Sequence, residues 1–146
     1  MPGVRVSTVI DASPDAVWAA IEDVATHVEW MADAETIRIT SEQRQGLGTT
    51  FECDTKVGPA RTTDVMEITE WEPGRALGVR HRGVVSGTGR FTLAEVDGGT
   101  EFAWDEELRF PWYLGGRAGA VATRPVLRRV WRGNLERLRR LVERDS

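Results

Sequence analysis

Three side chains of this 146-residue chain can work together as acid and base: Asp64, His81 and Glu106. They are distant in sequence, so any meeting depends on strand register, and hairpin loops set register. With Gly58-Pro59 as one turn, Cys53 falls opposite Asp64. With a loop from Trp71 to Gly74, Asp64 falls opposite His81. A connection centred on Val84 puts His81 opposite Gly87, and the turn Asp97-Gly98 puts Gly89 opposite Glu106. Facing residues on neighbouring strands stand about 5 Å apart, close enough for a carboxylate to orient an imidazole. The expected constellation is therefore Asp64 beside His81, with Glu106 as a second carboxylate across a gap at Gly87 and Gly89, where a ligand would lie on backbone. The competing expectation is that these groups sit at the open rim of the sheet or satisfy one another without chemistry. A single β-bulge would turn His81 outward.

Other chemistries find less support. His27 reads as a surface or core residue, and two distant histidines with one cysteine, Cys53, form no metal-ligand pattern and no internal disulfide. Gly87-Thr-Gly89 lies within a hairpin and lacks the rest of a dinucleotide fingerprint. No serine stands in a Gly-x-Ser-x-Gly elbow. No cofactor and no metal are expected.

The elements that must position these residues follow from alternation and periodicity. Val4, Val6, Thr8 and Ile10 share one strand phase. Ser13-Pro14 is a helix start, with a capping hydroxyl and a proline where its missing N–H is harmless. A second short helix is expected from Val24 to Met31, capped by Asp23, followed by a strand through Ile37 and Ile39. Five more strands run from Thr49 to Phe110, and Asp97-Gly98 is a strong two-residue hairpin signal among them. A helix from Trp112 to Val142 closes the chain, with Leu127, Val130, Trp131, Leu135, Leu138 and Val142 on one stripe that Asn134 interrupts. A kink or break is expected at Pro125. The small residues Gly115 to Ala122 ahead of it should leave room for a cavity against the sheet.

The fold class is thus α+β: a curved seven-stranded antiparallel sheet gripping one long C-terminal helix, in one domain, 1–146. Residues 112–146 carry nine Arg against three acids, a charge of +6 that leaves −10 for the rest of a chain at −4. That balance favours the solvated back of a helix over a nucleic-acid surface. No apolar run reaches the length of a membrane span, and the N-terminus has no signal-peptide profile, so a cytoplasmic location is expected.

The order of elements resembles the helix-grip arrangement of the START-related, or SRPBCC, superfamily, most of all its polyketide cyclase/dehydrase branch. The residues that carry the resemblance are Ile10-Asp-Ala-Ser-Pro-Asp-Ala-Val-Trp18, Glu29-Trp30, Gly46-Leu-Gly-Thr49, Glu70-Trp-Glu-Pro-Gly-Arg75 and Gly87-Thr-Gly-Arg-Phe91. The resemblance implies binding of lipids, hormones or polyketides, and in some members cyclisation or dehydration. It carries over no catalytic residue.

Two functions follow. The first is binding or carriage of an apolar, polycyclic or lipid-like molecule in a cavity between sheet and helix. That cavity would be lined by Phe51, Met66, Val79, Gly87, Gly89, Phe91, Trp104 and Gly119, with Trp30, Trp112 and Tyr113 either at its mouth or in ordinary packing. The second is a polyketide cyclase or dehydratase using His81 with Asp64 and Glu106. The expected partner is a hydrophobic small molecule, with no nucleic acid and no membrane span.

Overall fold

The computed structural model describes residues 3–145; Met1, Pro2 and Ser146, which the expected domain includes, lie outside them. β1 (Gly3–Ile10) leads into α1 (Pro14–Ile21) and a 3-10 segment (Val24–Glu29). Six strands follow: β2 (Ala34–Ile39), β3 (Thr50–Val57), β4 (Ala60–Glu72), β5 (Ala76–Arg82), β6 (Ser86–Val96) and β7 (Gly99–Arg109). A 3-10 turn (Trp112–Leu114) then leads to α2 (Gly116–Asp145). The strands form one antiparallel sheet in the order β1-β7-β6-β5-β4-β3-β2.

Local chemistry explains the boundaries. Ser13 Oγ accepts from the Ala16 N–H at 3.2 Å, and Asp23 caps the 3-10 segment through the Ala25 N–H at 3.1 Å. That segment ends at Glu29, short of the expected Met31. Asp97 and Gly98 both take positive φ, 31° and 82°, the twist a two-residue hairpin requires.

Three of the four expected registers hold: Cys53↔Asp64, His81↔Gly87 and Gly89↔Glu106. The fourth does not, because His81 stands opposite Met66 instead of Asp64. The turn lies further along than expected, with Pro73, Gly74 and Arg75 between the paired Glu72 and Ala76. A register shift between Ile68 and Glu70 then takes back one residue. The net slide of two residues preserves the inward phase of His81 and moves it along β4 past Asp64.

α2 packs chiefly on β1, and its apolar stripe closes the core. Trp131, Leu135, Leu138 and Val142 are buried with Val4, Val6, Ile10 and Trp104, and the Trp104 and Trp131 rings stack with centroids 4.8 Å apart. Asn134, the polar break in the stripe, is fully buried and tied to the segment before β2. Its Nδ2 donates to Asp33 Oδ1 at 2.7 Å, and its Oδ1 accepts from the Ala32 N–H at 2.9 Å. Trp131 Nε1 donates to the other Asp33 oxygen at 3.2 Å. These bonds satisfy buried polar groups that would otherwise destabilise the core.

The first half of α2 differs from expectation. The helix runs unbroken through Pro125. Its small residues make a tight turn, not a cavity wall. Gly115 takes φ 91°, and a Cβ on Gly119 would lie 2.0 Å from the Leu114 carbonyl oxygen. Gly119→Ala is therefore expected to destabilise the protein by about 1–3 kcal/mol in a denaturant titration, because the 3-10 turn must move off α2. Unchanged stability would mean that this contact is not made.

Candidate functional site

Glu106 projects from β7 on the inward phase, above Gly89 of β6. A Cβ on Gly89 would lie 2.4 Å from Glu106 Oε1, so the absent side chain makes room for this carboxylate. The expected gap at Gly89 is thus partly taken up by the Glu106 carboxylate. Glu106 Oε2 meets His81 Nε2 at 3.2 Å, and Trp104 Nε1 donates to Oε1 at 3.2 Å. Both members of the pair are buried, His81 at 6% and Glu106 at 8% exposure. The carboxylate that orients His81 is therefore Glu106, not Asp64.

Burial opposes charge on His81. The hydrogen bond and charge of Glu106, together with the charge of Asp64, outweigh it, and the pKa of His81 is raised above its ordinary 6.5. His81 Nδ1 is buried, and the nearby Val85 backbone also favours the charged ring. Asp64 is half-buried, with Oδ1 unpartnered, and it lies over a second glycine: a Cβ on Gly83 would be 2.2 Å from that oxygen. Burial pushes the Asp64 pKa up, the charge of His81 pulls it down, and Glu106 adds to the rise. Asp64 thus acts on His81 through its field, not through a hydrogen bond.

Two spaces flank the pair. Phe51, Met66, Val79, Gly89, Phe91 and Trp104 come together as expected and, with Glu106, line an inner cavity. Its volume is only about 60 Å³, room for about two waters. Aromatic packing closes it. Trp30, expected at the mouth or in ordinary packing, is 1% exposed and contacts Phe91, Phe102 and Trp104 edge-on or tilted. His27 is also buried here, with Nε2 donating to the Ile21 carbonyl at 2.8 Å.

The second space is an open groove of about 590 Å³ at the end of β5, β6 and β7. It is lined by His81, Gly87, Leu108 and Phe110 of the inward phase, by outward residues of the same strands, and by Arg117 of α2. Trp112 and Tyr113 form an edge-to-face pair at 86% and 62% exposure and line neither space. Gly119 lines neither space, for the reason given above. The sequence reading missed Gly83 and the arginines of the groove, Arg80, Arg82, Arg109 and Arg117. Strict alternation on β5 and β7 assigns three of these to the solvent face, and only the shape of the sheet end reveals a groove there.

The family model for polyketide cyclase/dehydrase and lipid transport matches residues 1–143, and the chain belongs to that family. Similar solved structures include a protein of Thermus thermophilus, TTHA0849, with a TM-score of 0.81 at 15% identity over 99% of each chain. The Zhui aromatase/cyclase from Streptomyces sp. R1128 has a TM-score of 0.74 at 16% identity, over 97% of this chain and 93% of its own. Protein CV1439 from Chromobacterium violaceum has a TM-score of 0.69 at 19% identity over 97% of each chain. No curated protein matches. Among the described residues no helix is long and apolar enough to cross a membrane.

The pair has measurable consequences. Glu106→Gln is expected to lower the His81 pKa in an NMR titration, and Asp64→Asn to lower it less, since only Glu106 is hydrogen-bonded to the ring. A raised histidine pKa stabilises fully below 6.5, and that stability is lost as pH rises through the folded-state value. Glu106→Gln should therefore flatten the stability profile above pH 6.5. An unchanged titration would place His81 and Glu106 apart.

His27 behaves oppositely. Burial is the largest influence and lowers its pKa to about 4, against the Ile21 carbonyl bond and the Asp23 charge, which raise it. A depressed histidine pKa destabilises as pH falls from 6.5 toward 4, by about 3 kcal/mol at the lower end. His27→Gln is expected to remove that share of the acid dependence in denaturant titrations. An identical slope in both proteins would show that the ring reaches solvent.

Proposed function

We propose that the protein binds and carries a small molecule with an apolar body and an oxygen acceptor, seated in the groove with one end toward the inner cavity. The observation that supports this most is the position of the His81–Glu106 pair: His81 lines the groove and Glu106 lines the cavity behind it. The imidazole, its charged form favoured by Glu106, is the hydrogen-bond donor for a ligand oxygen, and Glu106 holds the ring. The apolar end enters past Met66, an adaptable, partly buried side chain. The inner cavity must expand to take it, because ligand sites are usually about 300–1,000 Å³. The aromatase/cyclase named among the similar structures suggests a polycyclic ketone, and the family description equally suggests a lipid.

The same buried pair also favours a second reading, acid–base turnover of a polyketide-like ketone. There His81 gives its proton to the substrate oxygen and Glu106 stabilises the charged ring. The two readings separate in one experiment. Binding of 2-acetylnaphthalene is followed by quenching of tryptophan fluorescence, and conversion of a β-hydroxyketone by mass spectrometry. Carriage predicts that His81→Ala weakens binding about tenfold, the loss of one charge-assisted hydrogen bond, with no conversion by either protein. Conversion by the wild type that His81→Ala abolishes would establish the enzyme instead.

A further inference from the structure

The rim of the groove carries a feature that neither an apolar ligand nor an acid–base pair requires. On the outward phase β7 places Arg109 opposite Ser86 of β6. One step beyond the pair His81↔Gly87, Arg82 of β5 comes level with Ser86 from the other side. The two guanidinium-bearing positions thus flank one serine at about two inter-strand spacings, roughly 10 Å. Arg117, at the start of α2, lines the same groove, as do Ser86 and Thr88.

Among the described residues Arg82, Arg109 and Arg117 form no ion pair or side-chain hydrogen bond. The fourth arginine, Arg80, is engaged by Glu67 at 2.6 Å. Glu107 is the one acidic residue of the lining. Three uncommitted arginines against one carboxylate make this groove locally positive on a chain whose net charge is −4. Elsewhere on the sheet the arginines are matched: Arg38 with Glu52 and Asp54, Arg90 with Glu70, and Arg5 with Asp105. Among the arginines of the sheet strands, only Arg82 and Arg109, both of the groove, have no such partner among the described residues. Leu108 and Phe110 supply an apolar wall beside these cations.

We propose that the groove holds the anionic head, a carboxylate or phosphate, of an amphipathic ligand, gripped by Arg82, Arg109 and Arg117 with the Ser86 hydroxyl. The proposal rests on the groove being the ligand site. Guanidinium groups bind such heads in paired, charge-assisted hydrogen bonds. The apolar body then lies on Leu108 and Phe110, directed toward His81.

Two fluorescent probes with the same aromatic body test this in the full-length protein. 8-Anilinonaphthalene-1-sulfonate is anionic, and N-phenyl-1-naphthylamine is neutral. The anionic probe is expected to bind more tightly. In Arg82→Gln/Arg109→Gln its dissociation constant should rise on the order of tenfold for each guanidinium removed, while the neutral probe changes less than twofold. Arg80→Gln, which removes an arginine already paired, should leave both probes within twofold. Anionic binding unaffected by the double variant overturns the proposal, as does an equal loss of both probes. If neither probe binds the wild type, the groove is not a ligand site and the broader reading falls with the proposal. Displacement of the anionic probe by sodium laurate points to a free amphipathic acid, and displacement by phosphatidylglycerol vesicles points to a lipid headgroup. Displacement by neither overturns the assignment of carboxylate and phosphate heads.

Discussion

The carboxylate of Glu106 occupies the volume that a side chain at residue 89 would fill, and the arrangement around it depends on that substitution of space. A buried carboxylate without partners is strongly unfavourable. Here the partners are the indole of Trp104 and the imidazole of His81, which belong to β7 and β5. The three strands β5, β6 and β7 are locked at one level by this contact, with Gly89 of β6 lying beneath it. Asp64 over Gly83 repeats the device on the neighbouring strand pair, with a weaker set of partners. The two carboxylates together raise the His81 pKa above its ordinary value, despite burial that favours the neutral ring.

A second constraint decides where free space lies. Trp131 and Asn134 tie α2 to Asp33, and the tie holds Trp131 flat on Trp104. Trp30, Phe91 and Phe102 then fill the volume between helix and sheet. A helix-gripping sheet therefore need not enclose a large cavity: five aromatic rings occupy it, and the remaining volume opens at the end of β5, β6 and β7. The polar pair stands at the boundary. His81 faces the groove and Glu106 the inner cavity, so the pair spans the two.

The features legible in sequence were those governed by short-range rules. Ser13-Pro14, Asp97-Gly98 and the alternation of β3, β6 and β7 act over a few residues, and each appears where those rules place it. The inward phase of His81 and Glu106 followed from the same alternation. The partner of His81 did not, because it depends on a turn displaced past Pro73, which moves the pairing by three residues, and on a bulge near Glu70 that takes one back; the even sum leaves the phase unchanged, so alternation cannot register it. Gly119 was misread because a run of small residues has two meanings, free space or close backbone approach, and only the position of the Leu114 carbonyl distinguishes them. For Trp30 the mouth and ordinary packing were both open, and it is buried: the end of a short helix is at the surface only if nothing packs over it.

The charge pattern links these parts. Two carboxylates, Asp64 of β4 and Glu106 of β7, favour the charged form of His81 on the inward side of the sheet. The outward rim a few ångströms further along is positive, through Arg82, Arg109 and Arg117. A ligand in the proposed mode would meet the cations and the apolar wall of Leu108 and Phe110 at the rim, and then His81. Water excluded by such a ligand would lower the local dielectric and strengthen the His81–Glu106 interaction. An anion at the rim would add to the field that holds the imidazole protonated. In the proposed binding mode, ligand and the charge state of His81 would be coupled in both directions: a charged ring would favour an oxygen-bearing ligand, and an anionic ligand would favour a charged ring.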